Sequence, residues 1–175
     1  MSSAPGTLDW LTLADHLDLV AAPVADAAAL VPGARVASID VTLADTAAFC
    51  TAYDVAPESS ANCVIVAGRR GDVTTYAAVL VLATKRADVN GVVRRALDAR
   101  KCSFAPHDDA VALTGMEFGG ITPVGLPAGW PVLVDESVLT AGDVVIGSGL
   151  RSSKLLLPAD QLLHLPGAQA LALAV

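Results

Sequence analysis

Thr114-Gly115-Met116-Glu117-Phe118-Gly119-Gly120-Ile121-Thr122-Pro123-Val124-Gly125 is the stretch on which the reading of this chain turns. It holds four of the 14 glycines, and Pro123 sets its own φ while removing a backbone donor. That makes it a shaped backbone loop. Gly119 and Gly120 can take positive φ and leave main-chain N–H groups unshielded by a Cβ, which suits recognition of an anion or a carbonyl. A structural turn between two strands is the competing reading.

Further along stands a second glycine block, Val145-Ile146-Gly147-Ser148-Gly149-Leu150-Arg151-Ser152-Ser153-Lys154-Leu155. The first block resembles the TG...GGxxPxG signature of the YbaK/EbsC-type aminoacyl-tRNA deacylases, the family that also supplies the editing domain inserted in bacterial prolyl-tRNA synthetases. The second resembles that family's second glycine turn, at the right distance from the first. Two ordered blocks are far more specific than one, and a weaker resemblance runs from about Val36 to Gly167. It implies a YbaK-like domain over residues 35–175, preceded by an N-terminal helical segment at 1–34. It also implies a curved mixed β-sheet flanked by short helices and a cytoplasmic hydrolase acting in trans on the ester of mischarged aminoacyl-tRNA. No cofactor or metal is expected.

Composition agrees with one domain. At 175 residues and 54% hydrophobic, the chain is long enough to bury its own core. With 4% aromatics, that core is built from Ala, Val and Leu. No apolar run approaches the ~20 residues of a membrane-spanning helix, and Met1 to Gly6 lack the basic and apolar regions of a signal peptide. The three cysteines have no C-x-x-C spacing, which reads as reduced thiols and against zinc. The formal charge of −7 opposes nucleic-acid binding, and no DNA partner is expected. The basic residues are clustered, however, at Arg69-Arg70, Lys85-Arg86, Arg94-Arg95, Arg100-Lys101 and Arg151 to Lys154, so a local positive face for tRNA can coexist with an acidic whole. Affinity for free tRNA is expected to be modest, which leaves room for help from a synthetase or an elongation factor.

Along the chain, Leu8, Leu11, Leu17 and Val20 recur near helical spacing, and Pro23 opens a second short helix stopped by Pro32-Gly33. Val36 to Val41 reads as a strand, and Asp45 as the cap of a helix over Thr46 to Tyr53. Ala61 to Gly68 and Val73 to Thr84 read as a central hairpin. Asp88 caps a further helix, and Cys102 to Phe104 is a short strand. Pro106 to Leu113 makes helical turns into the loop. Strands follow at Val132 to Val134, Asp143 to Ile146 and Lys154 to Leu157, then a helix from Pro158 to Leu165 and an edge strand from Ala168. Without a regular βαβ repeat this is an α+β domain.

The family carries a lysine at the start of its central strand, and here that position falls on Asn62. An amide cannot act as a general acid or base near neutral pH, but it can hydrogen-bond a ribose or an ester carbonyl. The resemblance implies that water activation leans on positioning and backbone donors, so the amides of Gly119, Gly120 and Ile121 are candidates for polarising the carbonyl. Thr114 and Pro123 of the first block and Gly147 and Gly149 of the second are expected substrate-binding positions. Asp135 could orient a substrate hydroxyl or amino group, or cap the turn at Glu136-Ser137. Arg151, Ser152 and Lys154 could meet the phosphates of a CCA end, or be solvated charge. Cys63 in a central strand reads as a buried, inert thiol; Cys102 with His107 is a conceivable nucleophile–base pair. The alternative function is a non-catalytic module that binds an aminoacylated acceptor end or a synthetase; a small-molecule esterase is a third.

Overall fold

The spacing of Leu8, Leu11, Leu17 and Val20 admits a helix, but the chain uses it differently. In the computed structural model, which describes residues 5–175, Leu11–Thr12 is a short strand, β1, set antiparallel against β2 (Arg35–Ser38). Met1 to Gly6, read from the sequence as lacking signal-peptide features, lie partly outside the described residues. Single 3-10 turns follow at Leu13–Asp15 and Leu17–Leu19. The Leu13 amide donates to the Ala34 carbonyl at 3.1 Å, so an open sheet edge outcompetes a local helix whose apolar stripe is thin. A true helix, α1 (Ala22–Ala27), starts with Pro23 in its first turn as expected. Leu13, Val20, Val24 and Val31 all enter the main core, so this segment packs as part of the same body.

Helix α2 (Thr46–Tyr53) begins at Asp45, whose carbonyl accepts from the Phe49 amide at 2.9 Å. The Asp45 side chain makes no capping bond. β3 (Ala61–Arg70) and β4 (Val73–Leu82) form the expected hairpin, with Ala61 opposite Leu82 and Arg70 opposite Val73. Ala77 to Leu82 are all buried. Ala78, Leu80 and Leu82 enter one apolar cluster and Ala77, Val79 and Val81 another, because each face of the sheet has its own cover.

Asp88 accepts from the Gly91 and Val92 amides at 3.0 and 3.1 Å, capping a π-turn over Val89–Val93 that runs into α3 (Arg94–Ala96). Then come β5 (Lys101–Phe104), α4 (His107–Thr114), β6 (Val132–Asp135), α5 (Glu136–Leu139), β7 (Asp143–Gly147), β8 (Ser153–Pro158) and β9 (Ala168–Leu171). The closing segment Ala159–His164 is 3-10 rather than α-helical.

The strands divide into two sheets where the sequence reading expected one curved sheet. One is mixed, in the order β5-β3-β4-β6-β9; the other is antiparallel, in the order β1-β2-β8-β7. β3 already has a partner on each edge, β4 and β5. Among the described residues, Ser60, just before it, makes the one bridge between the sheets, to Val145 of β7. The main core draws Val36, Ile146 and Leu155 from one sheet and Ile65, Leu80 and Val134 from the other. Phe49 and Cys50 of α2 cover Val145 and Leu156 on the outer face of the antiparallel sheet. The α+β class stands.

Candidate active site

The two glycine blocks meet in space. The Glu117 amide donates to the Gly149 carbonyl at 2.9 Å, the Gly149 amide to the Gly120 carbonyl at 2.7 Å, and the Arg151 amide to Glu117 Oε1 at 3.0 Å. Backbones this close leave no room for side chains. A Cβ on Gly120 would lie 2.6 Å from the Leu150 backbone, and one on Gly147 would lie 2.5 Å from the Gly120 carbonyl oxygen. Gly149, with φ of 85°, lies against Ala21. These glycines serve close approach of chain to chain.

Beside this clasp is a cavity of about 550 Å³, lined from several directions. The start of β3 contributes Asn62, Cys63 and Val64; the head of α2 contributes Ala44, Asp45 and Thr46; the first block contributes Phe118, Gly119 and Ile121; Gly147 and Lys154 close it from β7 and β8. Phe104 and Ala105 stand at the end of β5. Five of the candidate catalytic and substrate-binding residues therefore share one cavity: Asn62, Gly119, Ile121, Gly147 and Lys154.

Asn62 is oriented by Thr46, whose hydroxyl donates to Oδ1 at 2.5 Å. Its NH2 group is then left as a donor. The Gly120 amide is committed to the Glu117 carbonyl at 2.9 Å, which removes it as a donor to ligand. Among the described residues the Gly119 and Ile121 amides have no backbone acceptor.

Lys154 is no surface cation, contrary to the expectation that it meets solvent-side phosphates. It is 7% exposed, donates to the Ala44 carbonyl at 2.9 Å, and holds Nζ 5.2 Å from the centre of the Phe49 ring. Burial pushes its pKa down, with Arg151 adding to the effect while Cys50 and Asp45 oppose it. Arg151 is tied down as well. Its guanidinium pairs with Asp45 at 3.6 Å and reaches the Phe118 and Val41 carbonyls, each at 3.4 Å, which binds the rim of the cavity together.

The remaining candidates lie away from the cavity. Thr114 is buried, donating to the Ala110 carbonyl at 2.6 Å and accepting from the Met116 amide at 3.2 Å, so it closes α4. Pro123 faces a separate cleft with Trp130 and Pro166. Ser152 offers its carbonyl to the Ile39 amide at 2.9 Å. Asp135 caps α5 by accepting from the Ser137 amide and hydroxyl, and its other oxygen takes the Leu173 and Ala174 amides, each at 3.0 Å. Burial opposes its ionisation, but those four bonds outweigh it and hold the carboxyl below its usual range.

The thiol readings separate cleanly. Burial pushes Cys63 up to about 12, so it stays neutral within the cavity wall. Cys102 is buried in the second core and also pushed up by burial. His107 instead accompanies Asp108 at 3.0 Å and packs tilted against Phe118, with ring centres 4.3 Å apart. No Cys102–His107 dyad forms.

Sequence reasoning missed Thr46, Phe104 and Phe118. The two phenylalanines are 62% and 52% exposed, in a chain with only three, and nothing in their spacing tells an exposed ring from a core ring. It did anticipate a local positive face. Arg69, Arg94, Arg100 and Lys101 line a second cleft of about 520 Å³, which adjoins the cavity along β5, where Lys101 to Ser103 serve the cleft and Phe104 the cavity.

Comparison with known proteins gives a consistent result. The aminoacyl-tRNA editing domain family matches residues 41–165. Among solved structures, a protein proposed as a trans-editing enzyme for prolyl tRNA synthetase is 22% identical with a TM-score of 0.70, over 81% of this chain and 87% of that one. A scaffold protein used for computational epitope grafting is 24% identical with a TM-score of 0.75, over 89% and 97%. A hypothetical protein is 22% identical with a TM-score of 0.72, over 81% and 91%. At these identities the likeness concerns the fold. No curated protein sequence matches the chain. Among the described residues no helix is long and apolar enough to cross a membrane.

Proposed function

The chain belongs to the aminoacyl-tRNA editing domain family, and from that premise we propose that it acts in trans as a deacylase, hydrolysing the ester that joins a wrong amino acid to the 3′ end of tRNA. The observation that carries the reading is the cavity in which the strand β3 start and both glycine blocks converge. Its volume of about 550 Å³ suits a small ligand such as a terminal aminoacyl-adenosine.

Each part of such a substrate has a matching surface. Phe104 and Phe118, both exposed, offer faces on which a terminal base can stack. The NH2 group of Asn62 serves a ribose hydroxyl or the ester carbonyl. The Gly119 and Ile121 amides serve the carbonyl oxygen as charge develops there, a role in which one donor is worth about 10² to 10³ in rate. The Arg69, Arg94, Arg100 and Lys101 cleft supplies the cationic contacts that backbone phosphates need, despite the chain's formal charge of −7. Residues 5–34 act with residues 35–175 as one editing body.

One observation favours the non-catalytic alternative. Asn62 carries no charge and Cys63 is held neutral near 12, so neither is an activated base or nucleophile. Incubating the protein with a panel of mischarged tRNAs and following ester loss against buffer decides between them. Loss accelerated for at least one pairing establishes the deacylase; tight binding with no acceleration across the panel establishes the binding module.

A further inference from the structure

We propose that Lys154 is the cavity's charged donor to the ester carbonyl, a catalytic residue on β8. This rests on reading the cavity as the aminoacyl-adenosine site.

An ammonium is costly at that position. Lys154 alternates with Leu155 and Leu157, which face the main core, and shares its own face with Leu156, covered by Phe49 and Cys50 of α2. Pairing with Gly147 on one side and Ala37 on the other puts it in the middle of the antiparallel sheet. A residue there is expected to be apolar. Burying an ammonium is unfavourable unless it is paired and fully hydrogen-bonded. Among the described residues, no carboxylate lies within 4.0 Å of Lys154 Nζ, since the ion pairs found are Arg35–Asp143, Arg70–Asp98, His107–Asp108 and Arg151–Asp45. Asp45 is beside the cavity, yet its contact is Arg151 at 3.6 Å.

What Lys154 does have is partial support. Nζ donates to the Ala44 carbonyl at 2.9 Å and sits 5.2 Å from the Phe49 ring centre. Neither partner cancels its charge, and an ammonium has three donors. The remaining donors belong to a group lining a cavity, so a ligand oxygen entering there meets a held, incompletely satisfied cation. A desolvated charge acts far more strongly on such an oxygen than one in water. Burial with a shifted pKa in a cleft is how functional groups stand out from structural ones.

The step it supports balances with water alone. A water oxygen forms a bond to the carbonyl carbon while the C=O π pair moves onto oxygen, where Lys154 and the Gly119 and Ile121 amides receive the charge. Reformation of C=O breaks the bond to the ribose oxygen, which takes one proton of the water. The other proton leaves with the carboxylic acid, which ionises in solvent. Lys154 keeps its own protons throughout.

Three variants, Lys154→Met, Lys154→Gln and Lys154→Arg, test this by two readouts. The first is deacylation of mischarged tRNA; the second is calorimetric binding of 3′-amino-3′-deoxyadenosine acylated through a stable amide with each of a panel of amino acids. Folded Met and Gln variants should lose about 10²- to 10³-fold in rate, mainly in kcat, with melting temperature unchanged or raised. Wild-type hydrolysis matched within threefold by the Met variant overturns the role of Lys154 and leaves the deacylase reading standing. Wild type that binds the amide at least tenfold better than the Met variant but cleaves no ester supports the grip of Lys154 and overturns the deacylase reading. Absence of both hydrolysis and binding in wild type overturns both. Failure of all three variants to fold assigns Lys154 to the core alone and overturns the proposal.

Discussion

Replacing Asp135 by Ala should unfasten the end of the chain without touching the chemistry. Its carboxylate is 4% exposed and does two jobs: Oδ2 caps α5 through Ser137, while Oδ1 receives the Leu173 and Ala174 amides, each at 3.0 Å. Loss of an N-cap costs ~1 kcal/mol, and each hydrogen bond to a charged acceptor is worth ~1.5 kcal/mol or more. Together they make about 4 kcal/mol, which for a chain of this size lowers Tm by roughly 8–16 °C. The sign with pH follows from the depressed carboxyl: the contribution is full above the unfolded value of ~3.9 and is lost as pH falls through the folded value. Calorimetric melts of wild type and Asp135→Ala should thus differ most near pH 7 and converge well below pH 4, with kcat/KM at 20 °C, below both melts, nearly equal. A variant that melts with wild type but has lost deacylation would refute this account and return Asp135 to the substrate.

Gly120→Val should cost about 3 kcal/mol or more, because its Cβ would lie 2.6 Å from the Leu150 backbone; a soluble, normally melting Val variant would show the clasp to be adjustable. Since burial lowers the Lys154 pKa, the unfolded chain binds more protons between the folded value and ~10.4. Denaturation across pH should show wild type gaining stability relative to Lys154→Met as pH rises through that window, and a flat difference would contradict the assignment. Replacing Arg94 and Arg100 together by Ala should raise KM for tRNA and reduce the salt slope of binding by about 1.5, leaving kcat alone; an unchanged slope removes the basic cleft from the interface. Thr122 Oγ1 is buried without a partner among the described residues, so Thr122→Val should stabilise by about 1 kcal/mol in urea titration, and a clear loss would reveal a hidden hydrogen bond.

What the sequence discloses here follows the range of the interactions involved. The β3–β4 hairpin is legible because a run such as Ala77 to Leu82 reports burial on both faces by itself. The first turns after Thr7 are not, since Leu11 chooses between helix and strand only once β2 offers an edge. The same holds in the cavity. Gly119, Ile121 and Asn62 could be named from their motifs, but Gly120, Thr114 and Asp135 look identical to ligand-binding residues until their partners, Leu150, Met116 and Leu173, are brought near by the fold. Lys154 is the sharpest case. A lysine beside an arginine and two serines reads as solvated charge, and only its register opposite Gly147 places it inside.

The clasp between Glu117–Gly120 and Gly149–Arg151 also governs when this protein can first work during its own synthesis. The β3–β4 hairpin is made of neighbours in sequence and can pair as soon as residue 82 is available. The cavity cannot: its partners are about 30 residues apart across the clasp, and Lys154 arrives later still. Contacts of that separation must bear loop-closure entropy before they return any stability. A nascent chain therefore carries a long apolar hairpin with unpaired edges well before it carries a site, and that interval is when those edges are most exposed to aggregation.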